Sequence, residues 1–253
     1  MSPFGAGGEF PGGGSGGGGG SVTIPKNLVV GMPSDIHTVE IDGLSGSPDR
    51  LPLSPSTFND EFDENAAGVP SGWTSTAAFF GSLPTCNTND LLSHLHMVAP
   101  TTAVANGIFK AAPTTFPFTV IAKVADAVAY QNNQESGIYV GAQSPGNAGN
   151  LFAIGIVGVA NAIPVVQNIT INSATGVGGV GSTVGTGIPP LYLKIVVTAT
   201  TITRFYSFGG KVWTNAGAAT TGLTIVTPSV GLFVNTSSAA QNAEAMFDWI
   251  RFS

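Results

Sequence analysis

Of the 253 residues only 9% are charged, and 8 Lys and Arg stand against 14 Asp and Glu for a formal charge of -6. Uncharged hydroxyl and amide groups must therefore keep the surface wet, and the scattered cations make no phosphate-tracking stripe, which argues against a nucleic-acid partner. The single Cys86 excludes an internal disulfide and a paired-thiol metal site, while the length suits one β-sandwich core.

Residues 1–57 read as a Gly/Pro-rich arm. Eleven of the first twenty residues are Gly, a composition that behaves in isolation as a flexible coil, either a cloning linker or a native tether lying against a partner. Pro25, Pro33, Pro48, Pro52 and Pro55 interrupt the apolar runs that follow, and "HTVEIDG" (37–43) reads as one strand. The amino terminus lacks the basic start and apolar run of a cleavable leader. "FAIGIVGVANAI" (152–163) is too short to span a bilayer, so neither a signal peptide nor membrane insertion is expected.

From Phe58 onward, short strands alternate with Gly, Pro and Asn clusters, as a sandwich requires. Residues 87–99, "NTNDLLSHLHMVA", hold the one stretch with a helical turn in its pattern. Nine strands are expected at 118–126, 136–143, 150–158, 164–172, 191–199, 201–208, 211–215, 229–237 and 245–253. Between them "GVGGVGSTVGTG" (176–187) has no phosphate-loop pattern and reads as a long loop. In "LYLKIVV" the two-residue repeat puts Leu191, Leu193, Ile195 and Val197 on the core side. In "MFDWIRF" it sets Met246, Asp248, Ile250 and Phe252 against Phe247, Trp249 and Arg251, so neither face is cleanly polar. Gly209 and Gly210 supply the turn that brings Trp213 back beside Phe205 and Tyr206.

"PLYLKIVVTATTITRFYSFGGKVWT" (190–214) resembles the central hairpin of concanavalin A-like, laminin-G-like jelly rolls. "FNDEFDENAAGVPSGWT" (58–74) is similar to the first strand of that family, and "PSVGLFVNTSSAAQNAEAMFDWIRFS" (228–253) to its closing pair. The resemblance covers residues 58–253 and implies an all-β, two-sheet antiparallel jelly-roll sandwich behind the arm. These are core and turn signals, so they speak for fold more than for activity.

Sugar recognition needs a stacking ring with amide or hydroxyl groups around it, and Tyr206, Trp213, Tyr139 and Asn235, with Tyr130, are of the right type. No metal site and no cofactor are expected. The side chains that would supply ligands are Asp60 and Asp63, in an acidic cluster suited to calcium, and the H-x-H pair His94 and His96. The compact Glu-x-Asp-x-x-Glu motif of jelly-roll glucanases is missing; Glu135, Glu244 and Asp248 are the carboxylates left after Asp126.

A glycine-rich arm, a low-charge sandwich and no catalytic set lead to the expectation of a non-enzymatic virion structural protein of bacteriophage type, a capsid decoration, fibre or tail component. Residues 1–57 would bind other virion proteins, homo-oligomers would form, and the lectin-like sandwich would face host glycans. A free carbohydrate-binding module or secreted adhesin at an extracellular surface is the alternative, with glycoside hydrolysis behind both.

Overall fold

The computed structural model describes residues 56–75, 84–90, 93–99, 105–128, 134–141, 150–159, 163–172, 182–236 and 243–253. Residues 1–55 of the arm, the strand expected at 37–43, and Tyr130 lie outside the described residues. Among the described residues there is no helix, and every strand pairing is antiparallel. The strands are β1 (Thr74–Ser75), β2 (Thr85–Asn87), β3 (Leu95–Val98), β4 (Ala105–Ala111), β5 (Phe118–Val128), β6 (Glu135–Gly141) and β7 (Asn150–Val157). They continue as β8 (Val165–Asn172), β9 (Ser182–Thr186), β10 (Leu191–Val197), β11 (Ile202–Ser207), β12 (Thr214–Asn215), β13 (Ser229–Asn235) and β14 (Glu244–Phe252).

Two seven-stranded sheets result, in the orders β12-β11-β10-β5-β14-β3-β2 and β1-β4-β13-β6-β7-β8-β9. They are called the β5 sheet and the β6 sheet below. As expected for a jelly-roll sandwich, alternate residues of each strand fill the space between them. Leu191, Leu193, Ile195 and Val197 are fully buried from the β5 sheet and join one apolar cluster with Ile138, Val140, Val230, Leu232 and Val234 from the β6 sheet. Burying a large aliphatic side chain is worth about 1.5–3 kcal/mol, so this two-sided apolar layer is the main term that holds the sheets together.

Three local expectations are corrected. The stretch 87–99 holds no helical turn among its described residues; Leu95 and Met97 are fully buried while His96 and Val98 keep partial exposure, which is a strand's two-residue repeat, and β3 pairs with β2 and β14. The glycine run read as a loop contains the edge strand β9, in which Gly185 leaves room for the ring of Tyr206: a Cβ there would meet the phenol oxygen. The alternation expected in β14 fails because the register slips between Met246 and Phe247 and again between Phe247 and Trp249. Phe247, Ile250 and Phe252 are in the core cluster, and two consecutive residues, Asp248 and Trp249, stand on the opposite side. A β-bulge re-aims a side chain in just this way.

Candidate carbohydrate-binding face

The outer face of the β5 sheet is where the polar chemistry gathers. Between the core positions of β10, β11, β5 and β14 lie Tyr192, Lys194, Phe205, Lys123, Trp249 and Arg251. Cations sit on rings along this face: Lys194 Nζ is 4.1 Å from the Trp213 ring centre and 4.5 Å from that of Phe205. Arg251 lies 4.3 Å over Trp249, and Lys123 5.9 Å from Tyr192. Burial pushes the Lys194 ammonium below its ordinary value, and the negative ring faces offset part of that cost. Trp249, 1% exposed, packs 6.0 Å from Tyr192 and is a structural ring, whereas Trp213 and Phe205 keep part of their surface in solvent.

The bulge brings Asp248 into this row. Its Oδ2 accepts from Lys123 Nζ at 2.7 Å, and His94 Nε2 is 3.9 Å from its Oδ1. Beyond it, towards β3, a shallow, open notch is lined by His96, Asp126, Ala127, Glu244, Ala245 and Met246. His96 Nδ1 is 2.8 Å from Asp90 Oδ2, and its Nε2 is 3.5 Å from Glu244 Oε2 without hydrogen-bond geometry. The imidazole thus stands between two carboxylates. Arg251 donates through Nε and Nη2 to both oxygens of Glu61, 2.8 Å each, closing the row with a bidentate pair.

The four residues expected to contact sugar do not form one site. Trp213 is on the face just described. Tyr206 turns inward, 7% exposed, and donates its hydroxyl to the Val184 carbonyl at 3.1 Å. Tyr139 and Asn235 belong to the outer face of the β6 sheet, where both are buried. Tyr139 donates to the Ile108 carbonyl at 3.2 Å, and Asn235 donates to Glu135 Oε2 at 3.1 Å. Burial raises the Glu135 carboxyl above its ordinary value, the Asn235 hydrogen bond acting the other way.

The expected metal ligands are likewise dispersed. Asp60 accepts from Trp73 Nε1 at 2.6 Å and from the Phe62 amide at 3.0 Å, and lies 3.6 Å from Lys110 Nζ. Asp63 accepts from Ser93 Oγ at 2.7 Å. Among the described residues, no three His, Cys, Asp or Glu side chains are placed to share a metal ion. Lys123, Tyr192 and Lys194 carry no signal in the sequence, because their proximity depends on strand pairing. Asp248 was visible as a carboxylate, but the bulge that turns it outward with Trp249 has no signature in the alternation.

No family model matches the chain, and no curated protein matches it. Solved structures do. A glycoside hydrolase family 43 protein of Bacillus licheniformis, BlXynB, superposes with a TM-score of 0.57 at 18% identity over 77% of this chain. A xylan β-1,4-xylosidase of Bacillus halodurans does so with 0.56 at 14% over 80%. This chain spans about two fifths of both, 38% and 40% of their length. A structure described with endo-acting O-glycanases of the human gut microbiota that initiate mucin breakdown is matched over 98% of its length, with a TM-score of 0.52 at 12% identity.

At such identities the likeness shows the fold, a concanavalin A-like sandwich. It also corrects two expectations, that the chain is a non-enzymatic virion structural protein and that it is no enzyme: the solved proteins named above as sharing the sandwich are associated with glycan breakdown, and none is a virion component. The virion expectation rested on glycine content, low charge and the lack of a linear acidic motif. The glycine-rich arm lies almost wholly outside the described residues, and carboxylates distant in sequence, Asp126 and Glu244, line one notch on the β5 sheet without a linear motif.

Proposed function

We propose that the chain is a carbohydrate-active protein of the glycoside-hydrolase kind, in which the outer face of the β5 sheet holds a polysaccharide strand and leads it to the notch at β3, β5 and β14. The observation that carries this is the gathering on one face of partly exposed rings, Trp213 and Phe205, a charged row at Lys123, Asp248 and His94, and a notch with two carboxylates. Rings offer a surface to the C–H face of a sugar, while charged and amide groups meet its hydroxyls.

Asp126 and Glu244 are the pair for the chemistry. Asp126 stands opposite Met246 on the neighbouring strand, so it is diagonal to Glu244. Both carboxylates line the notch, and inverting hydrolysis needs such a pair, about 6.5–9.5 Å apart with a water between acid and base.

The experiment is release of reducing ends from xylan and other polysaccharides, with binding followed by affinity electrophoresis. Wild-type protein binds and cleaves, Glu244→Gln binds without cleaving, and Trp213→Ala loses tenfold or more in affinity while staying folded. A chain that retards on no polysaccharide overturns the proposal, as does cleavage unchanged in Glu244→Gln.

A further inference from the structure

Two arginines of this chain present the same edge to different surroundings. In Arg251, the Nε and Nη2 edge is filled by the Glu61 carboxylate at 2.8 Å on each side. In Arg204 of β11 the same two nitrogens have no hydrogen-bond partner among the described residues, although the residue is only 2% exposed. Its third nitrogen, Nη1, donates to Thr220 Oγ1 at 3.2 Å, and the Phe152 ring centre is 5.7 Å away. Burial pushes the guanidinium down to about 10, so it is still charged at neutral pH. A buried charge left without a counter-charge is costly, and a planar fork of two N–H groups matches one carboxylate.

Arg204 faces into the space between the sheets, on the side of its strand that carries Ile202 and Tyr206. Polar groups replace the apolar core here. Asn168, from β8 of the other sheet, donates to the Ala216 carbonyl at 3.0 Å and remains partly exposed, as does Thr220. The cover over Arg204 is the loop 216–222, of sequence AGAATTG, which leaves the sheet with positive φ at Gly217 and Gly222 and exposes Ala218 and Ala219. Few side chains anchor it: the Ala216 amide bonds the Arg204 carbonyl at 2.8 Å, and Thr220 pairs with Ile202 at 2.9 Å both ways.

We propose that the Nε/Nη2 edge of Arg204 is a receptor for the carboxylate of an acidic saccharide, a uronic acid, entering between the sheets beneath the loop 216–222. The proposal rests on the carbohydrate reading above and names its substrate class. The carboxylate takes both vacant N–H groups, the Asn168 amide and the Thr220 hydroxyl meet sugar hydroxyls, and the Phe152 and Tyr206 rings wall the ring of the sugar. Lifting the loop breaks the Thr220–Ile202 backbone pair and the bonds that Ala216 makes with Arg204 and Asn168, and the ion pair formed beneath it offsets that loss by removing the burden of the uncompensated cation.

Calorimetric titration with D-glucuronate, D-glucose, acetate and a neutral xylo-oligosaccharide, on wild type and on Arg204→Lys, tests this. Lysine keeps the charge and loses the fork. Saturable glucuronate binding, at least tenfold weaker in Arg204→Lys and tenfold tighter than glucose or acetate, supports the proposal. Glucose binding as well as glucuronate overturns it, and so does acetate binding as tightly, which makes the site a bare oxyanion hole. Xylo-oligosaccharide binding without glucuronate binding sinks this inference and leaves the outer-face reading standing; binding of no sugar overturns both. Should Arg204→Lys fail to fold, amide exchange in wild type decides: glucuronate, and not glucose, must change protection across 216–222, and an unchanged pattern overturns the proposal.

Discussion

On the outer face of the β5 sheet, the positions between core residues hold Lys194, Lys123, Trp249 and Arg251; on the outer face of the β6 sheet they hold Phe233, Tyr139 and Ala153, with Gly231, Gly137 and Gly155 between them. Both faces share one pleat and one core. On the first, cations and rings stack and carboxylates pair with them. On the second, Tyr139 lies over Gly231 and Phe233 over Gly155, so closely that a Cβ at Gly231 would meet the Tyr139 ring and one at Gly155 would be 2.9 Å from Phe233. The rings of that second face, with Leu151, Ala153, Val157 and Ile169, make a separate buried apolar cluster. The core layer therefore decides that there is a sandwich, and the outward residues decide which side of it can meet a polar ligand.

Substitutions break that contrast in graded steps. The largest effect is expected from Trp249→Ala, which empties a fully packed site on the charged face and costs about 3–5 kcal/mol in urea unfolding. Next comes Gly231→Ala on the packed face, where the added methyl meets both the Tyr139 ring and the Ile108 carbonyl of the paired strand and costs about 3 kcal/mol by the same measurement. A smaller change of opposite sign is expected from Glu135→Gln. Its carboxyl is raised above the ordinary 4.5 by burial, so the native state prefers it protonated. Its contribution is complete below 4.5 and is lost as pH rises through the raised value. The Gln variant accepts from Asn235 without the buried charge, and gains on the order of 1 kcal/mol at neutral pH. That gain vanishes in melts run below pH 4.5. The smallest change in stability, about 0.5–1 kcal/mol from the lost Lys194 contact, belongs to the partly exposed Trp213→Ala, whose main effect falls on polysaccharide retardation instead.

Much of this architecture was legible in the chain. The two-residue repeat of 191–197 named the buried side of β10 correctly, and nine of the strands were located because their apolar runs end at Gly, Pro or Asn. Other features were hidden for physical reasons. The leucines and histidines of 91–97 fit a helical and an extended spacing alike, and pairing with β14 decides for the strand. In β14 a bulge breaks the alternation, so parity assigned Asp248 to the side of Ile250. The inward direction of Arg204 follows from its parity with Ile202 and Tyr206, yet a charged side chain between two sheets contradicts the usual rule that cations face water, and sequence patterning gives no reason to prefer it. Among the described residues, Trp213 alone of the expected sugar contacts keeps a partly exposed ring, because Tyr206 shares the inward parity and Tyr139 is packed over Gly231.

The position of β14 has a bearing on how the protein is made. Residues 244–252 come last of the fourteen strands, yet they lie in the middle of a sheet, between β5 and β3, and Ile250 also exchanges two 2.9 Å backbone hydrogen bonds with Asp60. Until the ribosome releases that segment, β3 and β5 flank an empty lane and each shows a row of unsatisfied peptide groups to the cytosol or lumen around it. The β5 sheet is thus closed by the strand that is made after the other described ones, by a slow, long-range insertion, and whatever shields nascent chains must guard those two rims in the interval.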